Sequence, residues 1–92
     1  MKRVWVVEHL SGGGDFHGDA LLRMGVSMRD AMVADLLRVE GCNVTAATCA
    51  RASVLPHGAV GVQAHAGESP AEFVARESAA HDAVWVVAPE TE

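Results

Sequence analysis

The sequence predicts an α/β fold. The expected form is a three-layer, Rossmann-like sandwich with a mainly parallel four-stranded sheet in the order 3-2-1-4 and elements running β-α-β-β-α-β. Three observations carry that expectation. The run VWVV occurs twice, at residues 4–7 and 84–87, and short unbroken runs of β-branched and aromatic residues mark strands covered on both faces. A long segment with apolar residues three and four apart follows the first run. A helix-start signal precedes the second. Helices that lead into fully apolar strands imply right-handed crossovers and parallel pairing.

The first strand is expected over residues 3–9, where the apolar run ends in the polar pair Glu8 and His9. A loop with three successive glycines, Gly12, Gly13 and Gly14, comes next. A helix is expected over 20–39 with Asp19 as its N-cap. Its apolar arc reads Leu21, Met24, Met28, Met32, Leu36 and Val39, with Arg23, Asp30 and Arg38 on the opposite side. Arg29 and Asp35 intrude on the arc and are expected to snorkel at its borders. Gly41 stands where a helix-terminating glycine belongs.

A second, weaker strand is expected over 43–49 and a third over 59–65, separated by a loop containing Pro56. Ser69-Pro70-Ala71-Glu72 is a capping box, with Pro70 fitted to the first helical turn. That helix is expected to reach His81, with Glu72 and Arg76 paired four residues apart and Phe73, Val74 and Ala80 facing the core. Residues 83–88 form the fourth strand, stopped by Pro89. Its likeness to the first strand places both as neighbouring central strands with the same need for burial.

The bounds on function are broad. Ninety-two residues suffice for one small domain spanning 1–92. The formal charge is −5 with seven Lys and Arg, and no basic cluster occurs, so no nucleic-acid partner is expected. Glu8 and His9 interrupt the first apolar run too early for an export signal, and no stretch has the length of a membrane span. A cytoplasmic protein with no membrane partner is expected, with Cys42 and Cys49 as free thiols.

The glycine loop and the end of the fourth strand both fall at the carboxyl edge of the expected sheet. Ligands of open α/β sheets bind there, where the chain order reverses. A dinucleotide fingerprint fails on register: Gly12 and Gly14 fit, but His17 takes the third position and Gly18 comes one residue late. No acidic residue closes the second strand, where Thr48 and Cys49 stand. A phosphate-binding G-x-x-x-x-G-K-[ST] loop is absent. The glycine amides near a helix start suit an anion or phosphate generically, and a surface loop without a ligand is the equal alternative. His9, His17, His57, His65 and His81 show no zinc spacing, Ser11 lacks a nucleophile elbow, and no pattern supplies Cys49 with a base. The methionine-bearing arc is wide enough for part of it to pack on another domain or another copy.

Several short stretches resemble a group of ATP-grasp ligases. Residues 8–14, EHLSGGG, are similar to that family's opening strand, glutamate, serine or threonine, and three glycines. LLRMGVSM, residues 21–28, resembles its next segment, with Gly25 and Met28 matching. DAVWVVAPETE, residues 82–92, resembles its strand followed by A-P-E-T. His9 replaces the usual aromatic residue, and Met24 stands where the family carries an acidic one. The resemblance implies an N-terminal, pre-ATP-grasp domain, here a fragment of a longer ATP-grasp protein and catalytically incomplete alone. It implies ATP-dependent carboxylate–amine ligation through an acylphosphate, with ATP and Mg²⁺ held by the remaining ATP-grasp domains of the same chain. With small-molecule amine and carboxylate substrates, the resemblance implies that Ser11 and the amides of Gly12, Gly13 and Gly14 contact substrate or a phosphate, that Glu8 orients that loop or binds the substrate amine, and that Pro89, Glu90 and Thr91 form the facing edge. No catalytic residue and no metal ligand is assigned to this chain. The alternative is a stand-alone, non-catalytic module that binds phosphate or another small ligand or forms a homodimer.

Overall fold

A computed structural model of the protein describes residues 2–9, 11–12, 19–49, 52 and 54–87. Its elements are β1 (Lys2–Glu8), α1 (Asp19–Leu37), β2 (Cys42–Ala47), β3 (Val60–Val62), α2 (Pro70–Ser78) and β4 (Ala83–Val87). The four strands form one sheet in the order β3-β2-β1-β4. Every pairing is parallel, with Val6 opposite Ala46 on one side and Trp85 on the other. The expected α/β class, element order and strand order are therefore those of the molecule.

Alternation along β1 splits the core into two layers. Val4 and Val6 face α1 and join Met32, Val33, Val44 and Ala46. Trp5 and Val7 face the other way and join Ala47 and Phe73 of α2. The Trp5 ring meets Phe73 edge-on at 5.4 Å and stacks on His81 at 5.8 Å. Both are within the range in which aromatic pairs attract beyond simple burial.

The capping box that opens α2 is present in full. The Ser69 hydroxyl accepts the Glu72 N–H at 3.1 Å, and the Glu72 carboxylate accepts the Ser69 N–H at 2.9 Å. That engagement removes Glu72 from the ion pair expected with Arg76. Arg76 instead reaches back across the helix start to Glu68, at 2.7 and 3.0 Å, and also meets Glu77. The helix stops at Ser78, short of His81, and Ala80 is exposed rather than in the core. Gly41 does take a positive φ of 86°, in the turn that delivers the chain from α1 to β2.

Two expectations about burial fail. Along α1 the sheet-facing stripe is Leu22, Gly25, Arg29, Met32 and Val33, while Leu21, Met24 and Met28 are exposed. Helix α1 is apolar over a wider arc than two strands cover, and the strands take one flank of it. Val39 is exposed beyond the helix end, and Asp19 is already the first helical residue. The second failure is β4, which is an edge strand. Val84 and Trp85 are each 42% exposed and Val86 is 53% exposed, whereas Trp5 and Val6 of β1 are fully buried. The same VWVV run has a paired neighbour on both sides in β1 and on one side in β4. The expected third strand is also shorter than 59–65, pairing over three residues alone.

Candidate functional site

The carboxyl edge of the sheet is where β1 ends in Glu8 and the chain turns at Ser11 and Gly12. Glu8 shares the parity of Val4 and Val6, so its side chain lies on the α1 side. It is 1% exposed and Ser11 is fully buried. The Glu8 carboxylate accepts the Ser11 N–H at 2.7 Å. The Glu8 carbonyl accepts the Gly12 N–H at 2.9 Å and the Ser11 hydroxyl at 3.5 Å. A carboxylate so engaged fixes the turn that starts the glycine loop.

Gly12 has a local steric reason for lacking a side chain. A Cβ there would lie 3.0 Å from the Ala47 Cβ and 3.0 Å from the Glu8 carbonyl oxygen. The close approach comes from β2 and from the turn itself, without any ligand. Gly13, Gly14, Pro89, Glu90 and Thr91, the other expected contact residues, lie outside the described residues, as does the rest of the facing edge.

Beside the turn, the end of β2 supplies Thr48, whose N–H donates to the Val62 carbonyl at 2.9 Å. Arg29 reaches it from α1. Long helical side chains lean toward the helix N-terminus, and α1 starts at this edge, so a residue three turns along still delivers its head group here. The guanidinium donates to Thr48 Oγ1 at 3.2 Å and to Asp30 Oδ1 at 2.9 and 2.8 Å. Arg29 is fully buried, where a snorkelling side chain at the stripe's border was expected. Sequence reasoning missed Arg29 and Thr48 as parts of this edge. The available signal was an arginine inside an apolar helical stripe, which is costly to bury unless paired.

The edge thus combines a buried carboxylate that shapes a loop, a buried guanidinium that ties α1 to β2, and backbone amides at the loop start. Such a set can hold a loop in one conformation beside a ligand. Met24, the departure from the family pattern, is exposed and lines an open hollow on the outer side of α1 with Ala20, Arg23, Ser27 and Met28. Among the described residues no group of three or more His, Cys, Asp or Glu could hold a metal ion. Among the same residues no helix is long and apolar enough to cross a membrane.

The family model of the pre ATP-grasp 3 domain matches residues 42–92, just over half of the chain. The match begins with β2 and includes β4 and the A-P-E-T stretch, but not the turn from Glu8 to Gly12. No curated protein and no solved structure matches the chain.

Proposed function

The chain belongs to the pre ATP-grasp 3 domain family, and from that membership we propose that it is the N-terminal, substrate-side domain of an ATP-dependent carboxylate–amine ligase. The family match is the observation that carries this reading. In the reaction, ATP phosphorylates a carboxylate, and an amine attacks the acylphosphate and expels phosphate. The reading assigns nucleotide and Mg²⁺ to other ATP-grasp domains of a longer protein. This domain then forms one wall of the cleft. Glu8 and Arg29 are positioning residues in that wall. Ser11 and the amides of Gly12, Gly13 and Gly14 form its loop, and Pro89, Glu90 and Thr91 face it.

The finer form of the proposal is a cytoplasmic enzyme similar to tyramine–glutamate ligase of methanofuran biosynthesis, with an aromatic amine and glutamate as substrates. It draws on the E-H-L-S-G-G-G and A-P-E-T stretches. The test is to follow the native reading frame past Glu92, express the whole product and measure ADP release with ATP, Mg²⁺, glutamate and tyramine. ADP release that needs both acid and amine, with hydroxylamine trapping the activated acid as a hydroxamate, is the expected result. ADP release with other acid and amine pairs only would retain the ligase and remove the finer assignment. A frame that stops at Glu92 removes the ligase reading for this chain. Unchanged kinetics in Gly13→Val would remove the loop from the substrate site.

A further inference from the structure

Thr48 stands at the carboxyl edge, one residue past β2, and is held at three atoms. Its N–H donates to the Val62 carbonyl at 2.9 Å. Its methyl group lies toward β3, where a Cβ on Gly61 would be 3.2 Å from Thr48 Cγ2. Its hydroxyl oxygen accepts from the Arg29 guanidinium at 3.2 Å. A β-branched side chain has few χ1 wells, and these contacts select one. The residue also borders the start of the glycine loop. The β1–β2 register, carried two residues past Val6 and Ala46, sets Thr48 beside Glu8. Gly12 packs on the neighbouring Ala47, whose Cβ lies 3.0 Å from the place a Gly12 Cβ would take.

Donor and acceptor accounting leaves one group over. A guanidinium only donates, so the bond from Arg29 leaves the Thr48 hydroxyl proton to be placed elsewhere. Among the described residues nothing accepts it. Arg29 is fully buried on one side and β3 takes the methyl on the other. Thr48 itself is only half-buried, so the direction left for the proton is outward, over the edge. A hydroxyl that accepts from a cation is polarised and donates more strongly, and its strongest acceptor is an anionic oxygen. The two carboxylates nearby have other donors. Asp30 accepts from Arg29 at 2.9 and 2.8 Å, and Glu8 accepts the Ser11 N–H at 2.7 Å. In dinucleotide-binding sheets an acidic residue near the end of the second strand accepts from the ligand. The end of this second strand presents a donor instead.

We propose that Thr48 is a substrate-contacting residue whose hydroxyl donates to an oxyanion, a carboxylate or a phosphate group, at the carboxyl edge. Arg29 is the positioning residue that aims the hydroxyl. The inference rests on the ligase reading only for the statement that this edge faces substrate. That reaction offers the oxyanion from two sources, the acid substrate and the phosphate transferred to it. Thr48→Val removes the donor at nearly constant shape, and Thr48→Ser keeps it.

The test is a titration of the isotope-labelled chain, followed by amide NMR shifts, with sodium acetate and separately with sodium phosphate. Sodium chloride at matched ionic strength is the control. The expected result is a shift at the Thr48 and Cys49 amides that saturates with acetate or phosphate and not with chloride. The anion with the lower half-saturation names the source. Thr48→Ser should retain the binding, and Thr48→Val should weaken it about tenfold or more, the loss of one hydrogen bond to a charged group. The rest of the spectrum shows whether each variant keeps its fold, and the shift map of the unmodified chain needs no variant. No saturable shift at Thr48 with either anion overturns the proposal, as does equal affinity in Thr48→Val. The whole product of the reading frame separates this outcome from failure of the ligase reading. ADP release with unchanged KM for acid and for ATP in Thr48→Val removes the Thr48 contact and keeps the ligase. Saturable binding at Thr48 in a product without ligase activity keeps the contact and removes the ligase.

Discussion

Gly12 and Glu8 show how the first turn is held. A methyl group at Gly12 would press on a backbone oxygen and on the Cβ of Ala47, each 3.0 Å away, and neither is the free end of a flexible side chain. Gly12→Ala should therefore lower stability by about 1–3 kcal/mol, the usual cost of overpacking, seen as a lower urea midpoint with an unchanged slope. Glu8→Ala should cost a similar amount, about 1–3 kcal/mol, because it strands the buried Ser11 N–H. Glu8→Gln keeps an acceptor and should cost less. Accelerated amide exchange at Ser11 in the alanine variant, absent in the glutamine one, checks the cause. The position of Gly12 in a glycine run was legible in the sequence, but its reason was not. The neighbour that forbids a side chain is Ala47, which is remote in sequence and adjacent only once β1 and β2 pair.

At the scale of elements, local signals were read well and partner choice was read poorly. The capping box at Ser69–Glu72 is a four-residue code, and it forms as written. Whether Arg76 pairs with Glu72 depends on competition, and the cap won Glu72 while Glu68 won Arg76. The stripe of α1 failed for a related reason, since two overlapping apolar arcs share Met32 and Leu36 and only the sheet selects between them. The ion pairs around α2 give an acid-sensitivity that follows from direction alone. Hydrogen bonds from Arg76, then from the His65 N–H, hold the Glu68 carboxyl down at about 2 against an ordinary value near 4.5. Bonds from Ser69 lower Glu72 as well, and the Arg3 N–H lowers Asp82. A group whose pKa falls on folding stabilises the fold fully above its unfolded value. That contribution fades as pH drops and is gone below the folded value. Stability should thus decline from about pH 4.5 toward pH 2. Glu68→Gln should make the decline shallower in urea midpoints taken across that range, and an identical profile would mean that the Glu68–Arg76 pair does not form in solution.

For the whole molecule, the governing feature is unequal cover of one sheet. Strand order was legible because crossover handedness and short connections leave few arrangements. Cover was not, because the two VWVV runs are identical as sequence and differ only in their neighbours. The tryptophans report that difference directly: Trp5 is fully buried and Trp85 is 42% exposed. In dilute solution, iodide should quench part of the emission and leave a blue-shifted remainder. Trp85→Phe should abolish the quenchable part, and Trp5→Phe should leave only red-shifted, quenchable emission. Loss of iodide access to Trp85 on raising the protein concentration would place the indole in a contact between copies. Access that is unchanged at all concentrations would keep it at a free edge. Emission protected from iodide even at the lowest concentration would mean that β4 is covered within the monomer, and the sheet would then have a different order from β3-β2-β1-β4 or a further layer over its last strand.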